Sequence, residues 1–491
     1  MGRVGLGGLG GEIYLTKEKI MRALIDVVAT AEQLALFSRV RIGVEVIRGA
    51  AGSGKTTTAI LKLRSAVGFF VARMARQKTK RPIRVLVLTF NRTLRGYVKE
   101  LAQKQFIQGE DIALNVSTFA SWATGLLGKP RLIDLNAAKQ KIAELACGIA
   151  LDEQFVVEEV HYVLSRFLPA SIDDYLTVRR DGRGNMPRME MKAREALLNE
   201  VIKPYMAYKQ ANALCDWNDL AVALAITKHS AYDVVVVDET QDFSTNEIRA
   251  VMNQLSEEHT VTFVLDSAQR IYARNFIWSE AGVTVRPETS HKLKTNYRNT
   301  KQIAKFAAAI LSGISADENG SMPDFESATR DGPIPVVIEG RFSSQLTYVV
   351  KKIQTEIDLN LESVAFLHPK GYGWFDTVRQ KLIAHKLPFV ELSTKADWPE
   401  GDENIALITL HSAKGLEFDH VFIIGLNAEV TLVGNVDLPE NSEDERLANL
   451  RRLIAMGVGR ARKSVIIGYK PNDAPAVAAF FDPTTCKKYS V

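Results

Sequence analysis

The stretch GAAGSGKT, Gly49 to Thr56, decides the fold. It ends a strand-like run, VRIGVEVIRG, and leads into a helical pattern, so it occupies the place of a phosphate-binding turn. The spacing fits G-x-x-x-x-G-K-[ST]. Glycines let successive backbone N–H groups turn inward onto phosphate oxygens, and the helix N-terminus behind them adds its positive end. Gly49, Gly52, Ser53, Gly54, Lys55, Thr56 and Thr57 are the nucleotide-binding candidates. Lys55 supplies positive charge to the β- and γ-phosphates, and the Thr56 hydroxyl is a magnesium ligand. A chance glycine loop is the bland alternative, and the strand–turn–helix context disfavours it.

Further along, VVVVDETQDFS (Val234 to Ser244) ends four valines on two adjacent acids. A buried strand has no reason to finish on paired carboxylates unless they serve a cation or a reaction. Beside a phosphate loop, Asp238 on a neighbouring strand holds Mg²⁺, and Glu239 polarises the attacking water as general base. Gln241 and Asp242 fall in the turn beyond, placed to report nucleotide state to an adjacent element. The other reading is a charged strand end that merely meets solvent.

Around these two stretches, apolar runs alternate with helical patterns. IRVLVLTF and VTFVLD belong to a first block; PVVIEG, SVAFLHP, NIALITLHS, HVFIIGL and SVIIGY belong to a second. Two such blocks predict an α/β protein of two domains with parallel sheets. The segment 123–227 is helix-patterned and reads as an insertion into the first block. An early G-x-G-x-x-G match at Gly5, Gly7 and Gly10 follows no strand and is read as a chance flexible start.

Composition excludes little. The 491 residues have 46% hydrophobic and 24% charged content, with a net charge of +5, which permits nucleic-acid binding without requiring it. No apolar run approaches a membrane span, and neither a secretion signal nor a myristoylation pattern is present, so no membrane association is expected. Cys147, Cys215 and Cys486 form no zinc spacing or disulfide framework, which predicts buried free thiols and a cytoplasmic location.

The chain resembles superfamily 1 helicases of the UvrD/Rep/PcrA type. GAAGSGKT and DETQD are similar to that family's first two motifs, LTFNRTLRGYV and STFASW to motifs Ia and Ib, and VLDSAQRIY to motif III. LKTNYRNT resembles motif IV, ITLHSAKGLEFDHVFI motif V and RRLIAMGVGRAR motif VI, all in the family's order. The resemblance implies two RecA-like P-loop NTPase domains: 1A (1–122 and 228–290) and 2A (291–491), with a helical insertion 1B (123–227) in the first.

It also implies roles. Gln33 reads the adenine edge, Tyr297 stacks on the base, and Glu417 meets the ribose or a phosphate-linked group. Gln269 touches the γ-phosphate, and Arg298 and Arg460 are arginine fingers from the second domain. Phe90, Thr118, Tyr272 and His411 face a single strand, whereas Phe119 and Trp122 are read as core. Arg274 stands where relatives have a stacking tryptophan, with Phe276 or Trp278 as substitutes. Motif VI departs too, with Asn449-Leu450 replacing acids and Gly459 a threonine.

STKADWPEGDEN, before motif V, leaves no room for the family's second helical insertion, 2B. The expected activity is ATP- and Mg²⁺-dependent translocation or unwinding on single-stranded or tailed DNA, with 3′–5′ polarity. A rival reading is a nucleic-acid-dependent ATPase that acts as sensor or accessory subunit of a partner nuclease, resembling bacterial anti-phage systems of the Gabija type. A small-molecule phosphotransferase would leave the second block's motifs unexplained.

Overall fold

The computed structural model describes residues 31–37, 39–49, 53–78, 81–89, 112–180, 189–266, 278–293, 296–314, 328–392, 403–413, 415–428 and 443–491. Six parallel strands make the first sheet: β1 (Gly43–Gly49), β2 (Ile83–Thr89), β3 (Ile112–Thr118), β4 (Tyr232–Val237), β5 (Leu255–Asp266) and β6 (Ser290–Leu293). Their spatial order is β3-β2-β4-β5-β1-β6. The valine run of β4 shows why the sequence reads as it does. Val234 and Val236 join the apolar cluster on one face, and Val235 and Val237 join the cluster on the other. Both faces are covered, so no polar alternation survives.

Helix Lys55–Gln77 packs Ile60, Leu63, Val67 and Phe70 onto the first of these faces. Helices Phe119–Leu126 and Trp217–Ile226 pack on the second, through Trp122, Leu220 and Leu224. Between those two helices a separate helical layer gathers around Ile142, Val160, Val163, Val201 and Tyr205. A parallel bridge between Leu132 and Cys215 draws its two ends together.

Buried polar contacts fasten this layer. Glu159, fully buried, takes a two-pronged guanidinium from Arg180 at 2.7 Å on each oxygen and accepts from Tyr175 Oη at 2.9 Å. Asn246, on helix Thr245–Asn253 just after the paired acids, donates to the carbonyls of Leu164 and Phe167 at 3.0 Å each. Arg249 adds bonds to the carbonyls of Arg166 and Glu280, and Arg166 pairs with the Glu280 carboxylate.

A short ribbon of β7 (Asn296–Thr300) and β8 (Ala328–Arg330) precedes the second sheet. That sheet comprises β9 (Val336–Glu339), β10 (Val364–His368), β11 (Val390–Glu391), β12 (Ile405–Thr409), β13 (Phe418–Leu426), β14 (Ala461–Tyr469) and β15 (Lys487–Ser490). The order is β11-β12-β10-β13-β14-β9-β15, with every pairing parallel. The chain is therefore an α/β protein with parallel sheets, as the alternating runs predict. No described helix is long and apolar enough to cross a membrane. The three cysteines are free, but the expected burial holds only for Cys486. Cys147 is exposed and Cys215 half-buried, because both lie at the ends of segments of the helical layer and not in its core.

Candidate nucleotide site

The phosphate loop leaves β1 at Gly49, where a Cβ would stand 2.4 Å from Ser53 Oγ and 3.0 Å from the Leu293 carbonyl. Gly54 caps the following helix at φ +74°, a left-handed backbone that disfavours side chains, and a Cβ there would meet Gln33 Nε2 at 2.3 Å. Gly49 is therefore dictated by space and Gly54 by its backbone conformation. Ser53 Oγ is buried and has no hydrogen-bond partner among the described residues, an unspent hydroxyl inside the turn. Lys55, Thr56 and Thr57 are half-buried in the first turn of the helix.

Thr56 Oγ1 donates to Asp238 Oδ2 at 2.9 Å. The expectation of a neighbouring strand is corrected: β5 stands between β4 and β1. Phe263 on β5 pairs with Val237 on one side and with Val46 on the other, so the acids emerge level with β1 and the carboxylate spans the gap above β5. Burial, and next the adjacent Glu239 carboxylate, push the Asp238 carboxyl up to about 7, against the Thr56 hydrogen bond and the Lys55 charge. Two adjacent carboxylates, one of them buried and hydrogen-bonded to a threonine hydroxyl, form an oxygen donor set that fits Mg²⁺, which takes one or two protein ligands and completes its shell with water and phosphate. Among the described residues no group of three His, Cys, Asp or Glu forms a closed metal cage.

Glu239 has φ 52° and ψ 40°, a left-handed conformation rare for a side-chain-bearing residue and costing about 1–3 kcal/mol. The turn Thr240–Asp242 holds it there. Asp242 N donates to the Glu239 carbonyl at 2.9 Å, Thr240 Oγ1 donates to the Val237 carbonyl at 2.8 Å, and the Gln241 amide donates to the Glu239 carboxylate. Gln241 thus reaches back onto Glu239, within its own turn.

Gln33, distant in sequence, lies against the loop. Its Nε2 is 3.4 Å from the carbonyls of both Ser53 and Gly54, and the side chain is buried. A second cluster brings together Arg298, Arg460 and Glu417. Arg298 Nη2 meets Glu417 Oε1 at 2.5 Å. Burial pushes the Glu417 carboxyl up, but Arg298, then Arg462 and Arg460, overcome it and hold the group below the usual carboxylate range. Asn299 Nδ2 donates to the carbonyls of Gly459 and Ala461 at 3.1 and 2.7 Å, and Phe418 N to that of Arg460 at 3.0 Å. Arg462 and Asn299 are members that sequence reasoning missed, although both lie inside the quoted motifs. Arg298 follows Leu293 by five residues, a span of at most about 18 Å, and Leu293 abuts Gly49.

Of the single-strand candidates, His411 is exposed in the turn after β12. Thr118 is buried, and its hydroxyl accepts from Ser121 N to cap helix Phe119–Leu126. Phe119 and Trp122 are core residues packed edge to face, as expected. Trp278 is half-buried against Phe263, with ring centroids 5.1 Å apart. Gly52, Phe90, Gln269, Tyr272, Arg274 and Phe276 lie outside the described residues, as does the Tyr297 side chain and the stretch Gly5–Gly10.

The family model described as the UvrD/REP helicase N-terminal domain matches residues 30–282, and the UvrD-like helicase C-terminal domain matches residues 380–472. A protein named "Probable DNA helicase" from Mycoplasma pneumoniae is 22% identical over 422 residues, covering 78% of this chain and 73% of that protein. The ATP-dependent DNA helicase PcrA of Leuconostoc citreum is 38% identical over 76 residues, 16% of this chain and 10% of its own length. PcrA of Staphylococcus aureus is 28% identical over 99 residues, 20% and 13% respectively. The solved C-terminal domain of a possible DNA helicase from Lactobacillus plantarum shares 19% identity and covers 40% of this chain and 99% of its own, with a TM-score of 0.29. The first family model alone spans just over half the sequence, so the chain belongs to the UvrD/REP helicase family.

Proposed function

We propose that the chain is an ATP-dependent motor that translocates on, or unwinds, single-stranded or tailed DNA with 3′–5′ polarity. The observation that carries this reading is the meeting of Lys55 and Thr56 with Asp238 and Glu239, in a chain whose two halves both match helicase family models. Lys55 and the loop from Gly49 to Thr57 hold the triphosphate. Thr56 and Asp238 would hold Mg²⁺, which neutralises phosphate charge when bound. Glu239 accepts the proton of the attacking water, its carboxylate aimed by Gln241. Gln33 and Tyr297 select the base, Glu417 orients Arg298, and Gln269 couples the γ-phosphate to the strand. Arg298 and Arg460 stabilise charge as it develops on the transferred phosphoryl group. Phe90, Thr118, Tyr272 and His411 are the proposed strand contacts.

In this reading 1A comprises 1–122 and 228–290, 1B is 123–227, and 2A is 291–491, with no 2B insertion because only thirteen residues separate Glu391 from Ile405. The decisive experiment measures ATPase rates with single-stranded DNA, duplex DNA and RNA in parallel, beside strand displacement on 3′- and 5′-tailed duplexes. Stimulation by single-stranded DNA with displacement from the 3′ tail is expected. Stimulation without displacement favours the second reading, a sensor subunit of a partner nuclease, which the missing insertion makes the natural rival. No stimulation by any nucleic acid refutes both.

A further inference from the structure

Helix Lys55–Gln77 carries a buried cation that the phosphate chemistry does not use. Lys62 is 3% exposed, and its ammonium meets Glu45 Oε2 at 2.6 Å. It also donates to the carbonyls of Leu36 at 3.1 Å and Arg39 at 3.4 Å. Leu36 lies in the last turn of helix Ala31–Phe37, whose terminal carbonyls have no partner within the helix and whose negative end favours a cation.

That same seven-residue helix carries Gln33. Such a short helix has little stability of its own, so its seat is set by what it touches. At one end Gln33 rests on the phosphate loop; at the other, Lys62 grips the carbonyls. Glu45 anchors the arrangement on β1, four residues before Gly49, and faces His291 of β6 at 3.4 Å. Burial would raise the Glu45 carboxyl, but His291 and Lys62 together hold it below its ordinary range, so Lys62 has an anionic partner.

We propose that Lys62 is a positioning residue for base selection: by clamping the carbonyl end of helix Ala31–Phe37 to Glu45, on the strand that delivers the phosphate loop, it fixes where Gln33 stands and so sets the preference for adenine over guanine. Lys62 touches no ligand, and its effect passes wholly through Gln33. The inference rests on the assignment of Gln33 to the base made above.

The test compares the full chain with Lys62→Met, Lys62→Arg, Lys62→Met/Glu45→Gln and Gln33→Ala, measuring kcat and KM for ATP and for GTP with single-stranded DNA present. Lys62→Met is expected to raise KM for ATP about tenfold with kcat nearly unchanged and to narrow the ATP over GTP preference. Lys62→Arg should restore part of that preference, since a guanidinium also reaches two carbonyls. The double variant leaves no uncompensated buried charge, so it decides the matter if Lys62→Met fails to fold. A double variant that melts like the parent and keeps its KM and base preference overturns the proposal. So does a fall in kcat alone, equal for both nucleotides. If Gln33→Ala leaves base preference unchanged, the Gln33 assignment is what fails; if Gln33→Ala loses it and the Lys62 variants do not, only the clamp fails.

Discussion

Lys55 stands at the start of a 23-residue helix with its charge acting on Asp238, so in the proposed site its removal takes away a phosphate ligand and a counter-charge together. Lys55→Ala should abolish ATP hydrolysis, and undiminished turnover in a phosphate-release assay would refute the phosphate-site assignment. Glu239→Gln keeps shape and the contact to Gln241 while losing the base, so nucleotide binding should persist and hydrolysis fall by about 10²-fold or more. Loss of binding, read by equilibrium titration with a fluorescent ATP analogue, would mean the residue holds the nucleotide instead. The candidate loop residues were legible because the glycine-rich turn is contiguous and its glycines answer local demands. Lys62 and Glu45 were not, because a buried cation looks like any other lysine until the fold brings Leu36, Arg39 and Glu45 to it. The left-handed backbone of Glu239 had no sequence signal either, since glycine is the residue that usually advertises it.

Among elements, the helix that follows the paired acids is bound to the helical layer by Asn246 and Arg249. Asn246→Ala leaves the carbonyls of Leu164 and Phe167 buried without their donor, which should cost about 1–3 kcal/mol. The check is a lowered denaturation midpoint together with faster amide exchange in 153–166; an unchanged midpoint would show that water replaces the amide. Strand positions were readable because β4 buries both faces and so leaves an unbroken valine run. Strand order was not. That β5 separates β4 from β1 depends on where each crossover helix returns the chain, and no short pattern encodes it.

For the molecule as a whole, the nucleotide loop belongs to the first sheet and Arg460 to the segment that enters β14 of the second. Arg460→Ala should lower kcat by about 10³-fold while leaving ATP affinity within a few-fold, measured by turnover beside analogue binding. Equal losses in both would place the guanidinium on the ground-state nucleotide. The division into two sheet-bearing halves was visible as two blocks of alternating runs, whereas the cluster of Arg298, Arg460, Arg462 and Glu417 needed three distant segments to meet. Arg298 stands five positions beyond Leu293, whose carbonyl abuts Gly49. Five residues confine the Arg298 Cα within about 18 Å of the strand edge beside Gly49, which gives its guanidinium an effective concentration on the order of millimolar at the candidate nucleotide loop. Free guanidinium or an arginine-bearing partner would have to approach that level in solution to replace it, so chemical rescue of Arg298→Ala, read as recovered ATPase turnover, should demand guanidine on the order of millimolar.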